Sequence, residues 1–245
     1  ADWTLNGETG GDHFGLAAGT AGDVNGDGFS DMVVGAPGYS GGAALRGKAY
    51  VFLGSRTGIG TATNWVRTGT AAGSLLGSAV GTAGDVNGDG YADIVVGSPG
   101  EAGAGVARGR ATVHRGGAAG VQTAPAWTGD GTADNKRFGS AVGAAGDVNG
   151  DGFSDVLIGG AATGGGVWLY RGHAGGVLTA VEWSLTGSDP LDGLGAACSG
   201  AGDVNGDGYA DVLVGAPGHP AGAATGQASL FWGNAGAGLA TDLAQ

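Results

Sequence analysis

The fold predicted for this 245-residue chain is an all-β propeller of four four-stranded blades, and three observations point to it. One nine-residue acidic loop recurs four times, opening at Asp23, Asp85, Asp147 and Asp203, at spacings of 62, 62 and 56 residues. Short β-branched or aromatic runs bounded by glycine follow each loop, which favours strands over helices. No segment carries a sustained apolar stripe at helical spacing. Self-similarity at a long fixed period marks a repeat architecture, and four short strands per repeat match a propeller blade.

The strands can be taken in order. A small-residue stretch, such as Gly15 to Gly22, precedes each loop. Gly and Ala suit a first strand that crowds its neighbours near the axis. After the loop comes an apolar run: Met32-Val33-Val34, Ile94-Val95-Val96, Val156-Leu157-Ile158 or Val212-Leu213-Val214. A third run follows, as in Ala49 to Leu53 and Val167 to Tyr170, and the first three repeats then reach Trp65, Trp127 and Trp183. The third repeat is six residues shorter, between Ala161 and Val167. The whole chain, 1–245, reads as one domain, with blades at about 13–67, 75–129, 137–185 and 193–245. Only the last blade lacks a tryptophan strand, and a lone Trp3-Thr4-Leu5 opens the chain. The strand at 1–6 is therefore expected to complete the last blade and close the ring, removing exposed edges. A dimer with an eight-bladed ring, or a piece of a longer propeller, are the alternatives.

Sixty glycines and six prolines would suggest low complexity if they lacked periodicity. Here they return at fixed places in the repeat, and glycine does not recur every third residue as in collagen. The formal charge of −12 opposes nucleic acid as a partner, since phosphate binding needs clustered Lys and Arg. No run approaches eighteen apolar residues, so no membrane insertion is expected. Ala1-Asp2-Trp3 shows no signal peptide, which fits a mature secreted chain or a fragment. Cys198 is the only cysteine; it is expected to be a small buried thiol.

The acidic loops carry the chemistry. The first reads Asp23, Asn25, Asp27, Phe29 and Asp31 at positions 1, 3, 5, 7 and 9. The others place Asp85, Asn87, Asp89, Tyr91 and Asp93; Asp147, Asn149, Asp151, Phe153 and Asp155; and Asp203, Asn205, Asp207, Tyr209 and Asp211 in the same order. Side-chain oxygens at 1, 3, 5 and 9 converge if the backbone curls tightly, which the glycine at position 6 permits. Position 7 would add its carbonyl while its ring packs inward. Four Ca²⁺ sites are expected, because calcium takes six to eight hard oxygen ligands. Asp-Gly and Asn-Gly also form ordinary turns, but four copies that all keep three carboxylates and the Asn go beyond that. An EF-hand is excluded: position 12 of the first loop is Val34 and the flanks are strands. The loops hold twelve of the 22 acidic residues, so four Ca²⁺ would bring −12 to −4.

These features resemble the FG-GAP repeats of the integrin α-subunit propeller and its bacterial relatives. The Phe-Gly element stands as Phe14-Gly15 and Phe138-Gly139, relaxed to Leu76-Gly77 and Leu194-Gly195. The Gly-Ala-Pro element stands at 35–37 and 215–217, varied to Gly97-Ser98-Pro99 and Gly159-Gly160-Ala161. The resemblance implies a propeller with calcium loops between strands one and two, opposite the usual ligand face. It also implies extracellular or secreted adhesion or ligand binding. Integrin heads have seven blades, so no integrin ligand residue is carried over.

A non-catalytic, calcium-stabilised binding module is therefore the expected function, with a protein or glycan ligand on the face opposite the calcium loops and the chain a monomer or homodimer. Its ligand loops would carry Tyr39, Arg46, Glu101, Arg108 and His219, and between blades Asp130, Asp134, Asn135, Lys136, Arg137, Asp189 and Asp192. A repeat scaffold without a specific ligand is the alternative, followed by an accessory domain of a secreted hydrolase or lyase. No Gly-x-Ser-x-Gly, His-Glu-x-x-His or phosphate loop occurs. His13, His114, His173 and His219 are scattered without an obvious acidic partner.

Overall fold

Each apolar run that follows an acidic loop forms the second strand of a sheet, with the small-residue strand on one side and the aromatic strand on the other. A computed structural model describes residues 3–102, 106–162, 164–177, 179–187, 189, 191–220, 225–236 and 238–239. The first blade contains β1 (Ala17–Gly22), β2 (Asp31–Ala36), β3 (Lys48–Phe52) and β4 (Thr63–Thr68), antiparallel and in that order. The second repeats this with β5 (Ala79–Gly84), β6 (Asp93–Ser98), β7 (Arg110–His114) and β8 (Trp127–Asp130). In the third, β9 (Phe138–Gly146), β10 (Asp155–Gly160) and β11 (Gly166–Tyr170) lead through a small hairpin, β12 (Gly172–His173) and β13 (Gly176–Val177), to β14 (Trp183–Thr186). The fourth has three strands, β15 (Ala197–Gly202), β16 (Asp211–Ala216) and β17 (Gln227–Phe231), followed by the hairpin β18 (Gly233–Asn234) and β19 (Gly238–Leu239). Among the described residues there is no helix, and none long and apolar enough to cross a membrane.

The inner strands β1, β5, β9 and β15 lie side by side in sequence order, so the sheets stack face to face around an axis, as in a β-propeller. The core lies between the blades. Val33, Val51 and Trp65 of the first meet Ile94 and Val96 of the second. Val95, Val113 and Trp127 meet Val156, Ile158 and Tyr170 of the third. Leu157, Leu169 and Trp183 meet Val212, Val214 and Phe231 of the fourth. Each outer-strand tryptophan thus packs edge-on against the third strand of the next blade, at 4.9 Å for Trp65–His114, 4.7 Å for Trp127–Tyr170 and 5.0 Å for Trp183–Phe231.

Trp3 obeys the same rule. Its ring lies 5.5 Å from Phe52, and its Nε1 donates to the Gly60 carbonyl as Trp65 Nε1 donates to Gln122. It occupies the slot of an outer strand ahead of the first blade. The expected ladder onto β17 is not formed among the described residues: Trp3-Thr4-Leu5 is not a strand, and the fourth blade stays three-stranded. Residues 240–245 of the expected fourth blade lie outside the described residues. Cys198 is half-buried in β15 at the edge of the third-to-fourth core, not enclosed as expected.

Candidate metal loops and the opposite loop face

Each acidic loop connects the first strand of a blade to the second, and the first residue organises it. Asp23 Oδ1 accepts the Gly26 and Asp27 amides at 2.8 and 3.1 Å, and Oδ2 accepts the Gly28 amide at 2.8 Å. The curl that aims three amides at one carboxylate needs positive φ at Gly26 (73°) and Gly28 (88°), which glycine adopts at little cost. The other three loops repeat these bonds around Asp85, Asp147 and Asp203. The Asn side chain at position 3 donates to the carboxylate at position 5 in all four, at 2.8 to 2.9 Å. That carboxylate also accepts the position-7 amide.

The ninth residue behaves differently. Asp31, Asp93, Asp155 and Asp211 are buried, and each fastens two distant amides. Asp93 takes Val86 at 3.0 Å and Gly116 at 2.9 Å; Asp31 takes Val24 and Gly54, Asp155 takes Val148 and Gly172, and Asp211 takes Val204 and Gly233. These carboxylates tie the acidic loop to the turn after the third strand. Burial pushes Asp93 up to about 6 and Asp155 up to about 7, and the carboxylates at positions 5 and 1 of the same loop add to the rise. Asp31 is raised for the same reasons.

The sequence therefore brings residues 1, 3, 5 and 9 of each loop together as expected, with oxygen the only donor atom on offer besides the Asn amide. Among the described residues no three His, Cys, Asp or Glu side chains are gathered as a metal cage, the loop amides engaging the oxygens instead. Asn87 Oδ1 is buried without a partner, although its counterparts in the other loops accept the position-5 amide. An all-oxygen set with clustered negative charge and an orphaned carbonyl fits a hard divalent cation. At position 7 the rings of Tyr91, Phe153 and Tyr209 pack over Gly26, Gly88 and Gly150 of the preceding blade, whereas Phe29 is 40% exposed.

On the opposite face, most of the charged residues predicted to meet a ligand hold loops to one another. Arg108 pairs with Asp134 at 2.7 Å, Arg110 with Asp130 at 2.6 Å, and Arg46 Nε donates to the Gly69 carbonyl at 2.7 Å. Glu101 stands 3.9 Å from Arg110, and Asp189 accepts the Leu191 amide. Tyr39 lies under the Lys48 ammonium. Asn135 and Arg137 are held at positive φ in the turn leading to Phe138. Asp192 lies 3.2 Å from His219 Nδ1, an acidic partner that the sequence did not reveal. The sequence reading passed over the apolar tips of this face. Leu16, Leu45, Val106 and Leu191 are 68%, 47%, 64% and 71% exposed. Their signal is an apolar residue in a segment otherwise made of small and polar ones.

Blades stacked face to face and joined at one end by acidic glycine loops define a propeller of the acidic-loop class. A model of the FG-GAP repeat matches residues 14–52, 76–114 and 199–231, and one of the FG-GAP-like repeat matches 147–214. The chain belongs to the FG-GAP repeat family. It is 34% identical to integrin alpha pat-2 of Caenorhabditis elegans over 226 residues, 84% of this chain and 18% of that protein. It is 32% identical to integrin alpha-V of Gallus gallus over 212 residues, 80% of this chain and 19% of that protein. Integrin alpha-2 of Mus musculus is 40% identical over 92 residues, 34% of this chain. The chain spans less than a fifth of the length of these relatives.

Proposed function

We propose that this protein is an extracellular, non-catalytic binding or adhesion module whose blades are held in register by four calcium ions. The observation that carries the reading is the fourfold acidic loop, with three carboxylates, one Asn carbonyl and no basic side chain offsetting the buried ninth position. The residues that would hold the ions are those at positions 1, 3, 5, 7 and 9. Calcium would neutralise carboxylates that otherwise repel one another. The chain's own atoms carry that order to the next blade, because the carbonyls at positions 1 and 2 of a loop bond there. Asp23 and Val24 accept the Ala92 and Gly117 amides at 3.0 and 2.9 Å.

The ligand would meet the other face, where a rigid scaffold presents loops. The four exposed apolar tips favour a protein surface over a glycan, since no repeated aromatic stands there to stack on sugar. Among the described residues no hydroxyl or thiol bonds the His219 ring, so the His219–Asp192 pair closes a loop and activates no nucleophile. Thermal melting with calcium and with EDTA tests the metal reading. A ligand at ~100 times its dissociation constant adds about 2.7 kcal/mol per site, so chelation should lower the melting temperature by many degrees. A melting curve that chelation leaves unchanged would remove the calcium scaffold.

A further inference from the structure

The three junctions inside the chain are copies of one another, and they define what a blade requires of its neighbour. At each, the position-1 and position-2 carbonyls of the acidic loop accept two amides of the next blade: Ala92 and Gly117, then Ser154 and His173, then Ala210 and Asn234. At each, a second-strand glycine lies under the backbone of the next Phe-Gly element. A Cβ on Gly35, Gly97 or Gly159 would stand 1.9, 2.0 or 2.3 Å from the carbonyl oxygen of Gly77, Gly139 or Gly195. At each, the position-4 glycine of the loop lies under the next position-7 ring.

The two ends of the arc carry the two halves of a fourth such junction, unjoined. Val204 and Leu213 are 55% and 42% exposed, whereas their equivalents Val24, Val86, Val148, Val33, Val95 and Leu157 are fully buried. Gly215 keeps the glycine of Gly35, Gly97 and Gly159 although no following blade approaches it and its φ does not demand one. A Cβ there would meet only Ala197, at 3.6 Å. Nothing lies within 4 Å of a Cβ on Gly206, the empty counterpart of the glycines that receive position-7 rings. At the other end, Phe29 is the one position-7 ring that lies on no glycine. The Ser30 and Ser55 amides stand where Ala92 and Gly117 stand one blade later. Among the described residues no hydrogen bond joins the fourth blade to the first.

We propose that two copies of this chain join head to tail, the first blade of each seated on the fourth blade of the other, in one eight-bladed ring. Phe29 of one copy covers Gly206 of the other, and Gly15 of one approaches Gly215 of the other, reproducing the internal junction twice about a two-fold axis. Trp3-Thr4-Leu5 keeps the place it already holds against Phe52. There it lies beside the open edge of the other copy's β17 and supplies the outer strand that the fourth blade lacks. Eight blades fall within the usual range for propellers. The second copy is the occupant because its leading face carries every element that the trailing face is shaped to receive, and within one chain the two faces do not meet.

Sedimentation velocity of the full chain tests this, with Gly215→Val and Leu213→Lys as variants. Both positions tolerate a side chain in the single chain and obstruct the junction. The expected result is a species of twice the 23.2 kDa chain mass, converted to single chains by either variant while circular dichroism and melting show the fold retained. A wild type that sediments as single chains at every concentration overturns the proposal, and so does a double-mass species that neither variant dissociates. Oligomers that grow without limit overturn the closed ring, since they mean that the head-to-tail rotation does not close.

Discussion

In the ladder position where the other blades carry Phe52, Tyr170 and Phe231, the second blade carries His114. The ring is fully buried, its Nδ1 lies 3.1 Å from the Gln122 carbonyl, and its Nε2 has no partner. Nδ1 therefore holds the proton of the neutral ring and donates it. Burial first, then the nearby Arg67 charge, pushes the histidine down to about 4. Above pH 6.5 the ring is neutral in both states and costs nothing. As pH falls from 6.5 towards 4 the unfolded chain takes up a proton that the folded chain refuses. Stability is then lost through that window, by about 3 kcal/mol at its acid end. His114→Phe installs the residue of the first and fourth blades and should remove that part of the acid sensitivity. Urea unfolding at pH 7 and pH 4.5 would check this. Equal losses for wild type and variant would show that His114 protonates freely in the fold.

At the scale of the element, a blade is clamped by the ninth carboxylate of its own loop. Removing the Asp93 side chain leaves the buried Val86 and Gly116 amides without partners, at roughly 1–3 kcal/mol each. Asp93→Ala should therefore destabilise the protein by about 2–6 kcal/mol even in EDTA. Asp89 bonds only an exposed amide and an Asn side chain within its own loop, so Asp89→Ala should cost far less in EDTA and show its main effect only with calcium. Melting both variants with and without calcium separates clamp from ligand. If the two lose stability only with calcium, the clamp is no more than a metal ligand. The loops were legible because glycine and acidic spacing is a local property of the chain. The clamp was not, since Gly116 is 23 residues from Asp93 and reaches it only through the register of β6 and β7. The charged loop residues misled for a related reason: Arg108 and Asp134 lie 26 residues apart and meet only once two blades are packed.

Across the whole molecule, the order of blades was readable from the repeat, but the state of the ring was not. Whether four blades close depends on the angle that each junction adds, and that angle accumulates from contacts such as Gly97 under Gly139 which no residue type encodes alone. The matching deficits at the two ends, a spare Trp strand and a blade without one, were visible in sequence. The structure resolves half of that match by placing Trp3 against the first blade. Its ring and Leu5 cover Phe52, Phe14 and Tyr50, and Glu8 holds Lys48 at 2.7 Å just beyond. Deleting residues 1–6 should uncover that aromatic face. Loss of one large half-buried ring and a leucine amounts to about 2 kcal/mol, or roughly 4–8 °C of melting temperature for a chain of this length. The same deletion removes the strand that would complete the other copy's fourth blade, so the double-mass species should dissociate at higher concentration than in the wild type. Trp3→Ala is the companion variant: it gives up the ring contact but keeps the backbone able to pair with β17. It should therefore lose most of the melting temperature and less of the association. If the truncated chain melts and sediments as the full chain does, Trp3-Thr4-Leu5 is neither a cover for the first blade nor an outer strand for the fourth.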